Sequence, residues 1–146
     1  MKIMSITLAG FLLIGCAGHN PLNLAASNPQ QVISMAAEAA PQPVFASVAM
    51  QVRAVGTQKD VTYLNSEADY RDQRNVSIAI APGAREKVEA VFGGNLEKIA
   101  VGKKIVVTGR AQRMKIRFFD NDGKPTDKYY YQTHVSVSDP AQIQII

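Results

Sequence analysis

The chain of 146 residues has no tryptophan, a single cysteine and two histidines. One cysteine cannot build a disulfide framework within the chain, and with two histidines it cannot furnish a thiolate or mixed Cys/His zinc site. Charge is scarce as well. The 16 Lys and Arg stand against 12 Asp and Glu, leaving +4, too little for a polycation and too mixed for an acidic disordered tail. There is no internal repeat, which excludes a solenoid. No apolar run approaches the roughly 20 residues that a spanning helix needs. What remains at this length is one small globular domain with a segment attached to it.

The segment comes first. Met1 and Lys2 form a short positive start, Ile3 to Ile14 is an apolar stretch of signal-peptide length, and it ends in Leu13-Ile14-Gly15-Cys16. These features together resemble the signal peptide and lipobox of bacterial lipoproteins. The resemblance implies that residues 1–15 are removed and that Cys16 is acylated, tying the chain to a membrane through its lipid anchor. Ala17, where Asp would favour inner-membrane retention, implies the outer membrane of a Gram-negative cell, with the domain facing the periplasm. From Ala17 to Pro43 the composition shifts to Ala, Asn, Gln, Ser and Pro, with Glu38 the sole charge. Residues 16–43 therefore read as the acylated Cys and a low-complexity, flexible tether. A short helix fits within it, with Asn28 as N-cap, Pro29 at the first turn, and Val32, Ile33, Met35, Ala36 and Ala39 as its stripe.

Beyond Pro43 the pattern becomes that of strands. Val44–Val55, Val61–Leu64, Asn75–Ala81, Lys103–Phe119, Tyr129–Val137 and Gln142–Ile146 are β-rich or alternating. Between the third and fourth, Ala84, Val88, Val91 and Phe92 fall on one helical face, closed by Gly93-Gly94. This order predicts a mainly β domain over residues 44–146, a five- to six-stranded OB-type barrel with one short helix between strands three and four. Ile78, Ile80, Val88, Phe92, Ile105, Val107, Ile116 and Val135 are its expected core. Val61-Thr62-Tyr63-Leu64-Asn65, Asp69-Tyr70-Arg71, Val76 to Ile80, Gly102 to Gly109 and Val137 to Ile143 follow in an order that resembles bacterial OB-fold domains grouped as nucleic-acid-binding. The resemblance implies the fold first and a ligand second.

Catalytic chemistry finds little to work with. His134 lies in a strand with no nucleophile turn near it, and His19 lies in the tether, so a Ser/His/Asp triad has no frame. Asp120-Asn121-Asp122-Gly123 opens like a calcium loop, but its twelfth position is Tyr131 where a bidentate Glu is needed, so a hairpin turn is expected. Glu67, Asp69 and Asp72 interleave with Arg71 and Arg74 as a self-compensated loop. The chain is expected not to be an enzyme, and to carry no cofactor and no metal.

Binding chemistry is richer. If Phe119 lies opposite Lys128, then Arg113, Lys115 and Arg117 share a face with His134, Gln132 and Tyr130. A one-residue slip brings Tyr129 and Tyr131 to that face instead. Cations interleaved with aromatics suit single-stranded nucleic acid. Tyr63, Asn65 and Tyr70 on the opposite wall form an alternative binding set. Since nucleic acid is scarce in the periplasm, the first functional reading is a noncatalytic envelope module for a protein or glycan partner. The alternative is a single-stranded nucleic-acid binder, as in DNA uptake or conjugation, with a hydrolase or nuclease third.

Overall fold

The protein is described here by a computed structural model over residues 24–146. The expected signal peptide, Cys16 and His19 lie outside the described residues. Strands β1 (Val44–Gln51), β2 (Ala54–Gln58), β3 (Val61–Asn65), β4 (Val76–Ile80), β5 (Lys104–Phe119), β6 (Pro125–Val137) and β7 (Ile143–Ile145) form one sheet, with helices α1 (Pro29–Ala39), α2 (Arg85–Phe92) and α3 (Leu96–Ile99).

The strand order is β1-β5-β6-β4-β3-β2, with β7 beside β5. The two ends of this order are halves of one bent strand. Val52 still bonds to the β5 side, donating to the Lys103 carbonyl, while the next residue, Arg53, donates to Asn65 at the end of β3. The sheet thus closes on itself through the bend at residues 52–53. With β4 and β6 as its parallel pair and the remaining neighbours antiparallel, this is the Greek-key barrel of an OB fold. The expected first strand is therefore two, the count rises to seven, and the expected helix falls between β4 and β5.

Alternation fills the barrel. Val76, Ile78 and Ile80 of β4, Ile105 and Val107 of β5, and Val135 and Val137 of β6 are all buried. Val88 and Phe92 bring α2 onto the barrel end that follows Ile80, and Gly93, at φ 86°, ends that helix in the left-handed region that glycine tolerates. Ile116 departs from expectation and is only half-buried. At that point β5 has left the barrel: β1 begins opposite Ala111 and β4 begins opposite Thr133, so farther out β5 and β6 run on as a two-stranded ribbon without a covering layer.

The expected tether belongs to the fold from Ser27 onward. Ser27 bonds to Ser47 and Ala49, covering the free edge of β1. Asn28 and Gln31 cap α1 reciprocally at 2.9 and 3.0 Å. Val32 and Ala36 are fully buried, with α1 packed on β1 and β5 and reaching β4 and β6. A helix of this length is marginal alone, and burial of this stripe is what holds it. Its Ile33 and Ala37 approach Gln73 and Thr133, at the start of β4, so α1 covers the barrel end opposite α2.

The motif over Val137–Ile143 closes the other seam. Asp139 caps a short turn whose Gln142 side chain accepts from the Ser138 and Asp139 amides at 2.8 and 3.0 Å. The same amide donates to the Thr108 and Ser136 carbonyls, both at 3.0 Å, where β5 and β6 diverge to admit β7.

Candidate nucleic-acid interface

The β5–β6 ribbon carries two faces, and its turn decides which side chains share them. Asp120 accepts the Asp122 and Lys124 amides on one carboxylate oxygen at 3.0 and 2.8 Å, and Gly123 takes φ 75°, which draws Phe119 opposite Pro125. A bulge follows. Thr126 donates its hydroxyl to the Phe118 carbonyl at 3.0 Å and accepts from the Lys128 amide at 3.3 Å, filling ladder positions that the backbone leaves open. The pairing beyond it is Arg117 with Tyr129, Lys115 with Tyr131 and Arg113 with Thr133.

This corrects the expected register by one residue, and in a strand one residue exchanges the faces. Arg113, Lys115 and Arg117 do share a face, but their companions are Tyr129, Tyr131 and Thr133. Tyr130, Gln132 and His134 lie on the other side, with Met114 and Ile116.

On the basic face the Arg113 guanidinium carbon stands 3.6 Å from the Tyr131 ring centroid, and the Lys115 Nζ stands 4.0 Å from that of Tyr129. The two tyrosine rings meet edge to face at 5.5 Å. Among the described residues, no carboxylate lies within ion-pair distance of Arg113, Lys115 or Arg117. Where this face meets α1 there is a groove of about 330 Å³, lined by Ile33, Ala37 and Gln73 together with Arg113 of β5 and residues 129–131 and 133 of β6.

The other face is occupied with itself. His134 and Gln132 are bonded at 2.7 Å, and Gln132 donates onward to the Tyr130 hydroxyl at 2.7 Å, so the imidazole Nε2 is the donor in this chain. Tyr63 stacks obliquely on His134 at 5.5 Å, and Phe118 on Tyr130 at 5.4 Å. Burial holds His134 below the ordinary histidine range and Tyr130 above the ordinary tyrosine range.

The alternative set does not converge as a site. Asn65 is buried, and its side-chain oxygen accepts from Ser77 at 2.7 Å and Asn75 at 3.1 Å. Asn75 also donates to the Tyr70 carbonyl and to Ser77, and accepts from Glu67, so this cluster pins the loop between β3 and β4. Tyr63 rests on His134, while Tyr70 is exposed in the loop with the Arg71 guanidinium 5.5 Å from its ring.

That loop compensates its own charge. Arg71 pairs with Asp69 at 3.3 Å, Arg74 with Asp72 at 2.7 Å, and Arg53 with Glu67 at 3.4 Å. Hydrogen bonds from the Arg74 side chain and backbone pull Asp72 down to about 2. Among the described residues no three His, Cys, Asp or Glu side chains gather as a metal site.

The sequence brought Tyr129 and Tyr131 to the basic face only through a one-residue slip, and it pointed to none of Thr133, Gln73, Ile33 and Ala37 as site residues. The signal for the tyrosines lay in Asp120, Gly123 and Thr126, which set the turn and the bulge. The groove residues follow only from the docking of α1.

No protein-family model matches this chain, and no curated protein matches it. Among solved structures it is similar to an aspartyl-tRNA synthetase from Entamoeba histolytica, with a TM-score of 0.50 and 11% identity over 99% of this chain and 28% of that one. A structure described as an aspartyl-tRNA synthetase from Leishmania major Friedlin gives a TM-score of 0.46 and 12% identity over 89% of this chain and 22% of the other. The chain thus spans less than a third of either structure. The first likeness establishes the OB fold.

Proposed function

We propose that this chain is a noncatalytic OB-fold module that binds single-stranded nucleic acid on the basic face of its β5–β6 ribbon. The observation that carries this reading is the row of Arg113, Lys115 and Arg117, without carboxylate partners among the described residues, set against Tyr129 and Tyr131. Cations along a strand neutralise phosphates, and aromatic faces beside them stack bases, at about 1–3 kcal/mol per base. The likeness to part of a tRNA synthetase agrees with a nucleic-acid partner at the level of fold.

A second reading keeps an envelope protein or glycan as the partner. The neutral wall of Tyr63, His134, Gln132 and Tyr130 favours it, since aromatic rings beside amide groups suit an uncharged ligand. Under either reading the lipobox resemblance supports acylation at Cys16 and an outer-membrane position facing the periplasm.

The test compares a labelled single-stranded oligonucleotide with inorganic polyphosphate, which has charge but no bases. Tyr129→Ala should weaken oligonucleotide binding about tenfold while sparing polyphosphate. Equal loss on both would remove base stacking from the account, and absence of oligonucleotide binding by the parent at low salt would overturn the nucleic-acid reading.

A further inference from the structure

The basic face is open at one end and closed at the other. Arg117, Lys115 and Arg113 follow one another at the spacing of alternate strand residues, about 6.8 Å apart. The next residue on that face is Ala111, which is fully buried. A polymer laid along the cations from the ribbon tip therefore runs into the groove at Arg113, where Ile33, Ala37 and Gln73 stand across its path.

The groove is furnished differently from the rest of the ribbon. Side-chain hydrogen bonds of β5 and β6 are made by Thr108, Gln112, Thr126, Gln132 and His134. Among the described residues, the Thr133 hydroxyl makes none, although Thr133 is only 4% exposed. Neither the Gln73 amide nor the Arg113 guanidinium makes one there. Among the described residues no buried side-chain polar atom lacks a partner, so the Thr133 hydroxyl still meets solvent, and these three polar groups lie along one cavity between an apolar helix flank and the Tyr131 ring. Its volume of about 330 Å³ is at the lower end of the range for small-ligand pockets.

We infer that this groove is an end pocket, which takes the terminal nucleotide of a bound single strand. The inference rests on the nucleic-acid reading and adds a requirement for a free end. The base lies between Tyr131 and the apolar flank of Ile33 and Ala37, Gln73 and Thr133 bond its polar edge, and Arg113 holds the terminal phosphate. The chain beyond that nucleotide leaves toward Lys115 and Arg117.

The test measures binding of linear oligothymidylate and of a covalently closed circle of the same length to the purified protein. The parent should bind the linear strand about tenfold more tightly, the worth of one or two hydrogen bonds. Thr133→Val, which keeps shape and strand propensity, and Gln73→Ala should lower linear binding to the level of the circle and leave circle binding unchanged. Arg117→Ala should weaken both alike. Equal binding of line and circle by the parent overturns the end pocket and leaves the nucleic-acid reading standing. A preference for the line that survives both groove substitutions also overturns it. Failure of both the line and the circle to bind overturns both readings.

Discussion

A methyl group at Gly109 would stand 2.7 Å from the Ser136 carbonyl oxygen, 3.0 Å from the Gln142 amide nitrogen and 3.2 Å from a Val135 methyl. None of these can retreat without opening the seam between β5 and β6, so Gly109→Ala is expected to cost about 1–3 kcal/mol, read as a lower midpoint in urea denaturation. An unchanged midpoint would mean that the seam is softer than its hydrogen bonds imply. The Asp72 carboxylate tests the loop between β3 and β4 in another way. Its folded value of about 2 lies below the ordinary 3.8, because Arg74 hydrogen-bonds its charged form. The stabilisation is therefore complete above the ordinary carboxylate range and is lost as the pH falls through about 2. Arg74→Ala should return the carboxyl titration, followed by NMR, to ordinary values; a midpoint that stays low would assign the shift to another cause.

At the scale of elements, the face of the ribbon was the part that the sequence left undecided. Tyr129, Tyr130 and Tyr131 offer a tyrosine to either face, and no covering layer demands that one face be apolar, so alternation does not fix the register there. Asp120 and Thr126 do fix it, through side-chain bonds to the backbone that strand periodicity ignores. Inside the barrel, where one face must be buried, Ile78, Ile80, Ile105, Val107 and Val135 were all legible as core. Helix α1 was legible as a helix, cap included, but its polar and alanine-rich composition resembles a linker, and only tertiary contact shows that Val32 and Ala36 are buried. Val32→Ala should therefore lower stability by about 2 kcal/mol, as for lost core methyl groups. A negligible change would return α1 to the role of a tether. The hairpin joining β2 to β3 places Lys59 and Asp60 at φ 49° and 66°. Replacing this pair with Asn-Gly, which tolerates positive φ, should stabilise the protein by up to about 1 kcal/mol.

At the scale of the whole molecule, strands in sequence order and one helix between the third and fourth expected strands made the OB class readable. Closure through the bend at Val52 and Arg53 was not readable, because a bent strand and two separate strands share one alternating pattern. The proposed anchor belongs to this scale too: Cys16→Ser should abolish processing and labelling by palmitate, and a variant still labelled would end the lipoprotein proposal. The central claim is that three cations on one face of the ribbon hold a polyanionic single strand. Its most direct test is the slope of log affinity against log salt for a single-stranded oligonucleotide, with the parent and with a folded Arg113→Ala, Lys115→Ala, Arg117→Ala triple variant. Each phosphate contact on a single strand contributes about 0.7 to that slope, so the account predicts a slope shallower by about 2 and much weaker binding at low salt. A triple variant with the parent's affinity and slope would contradict it, leaving the strip a solvated surface.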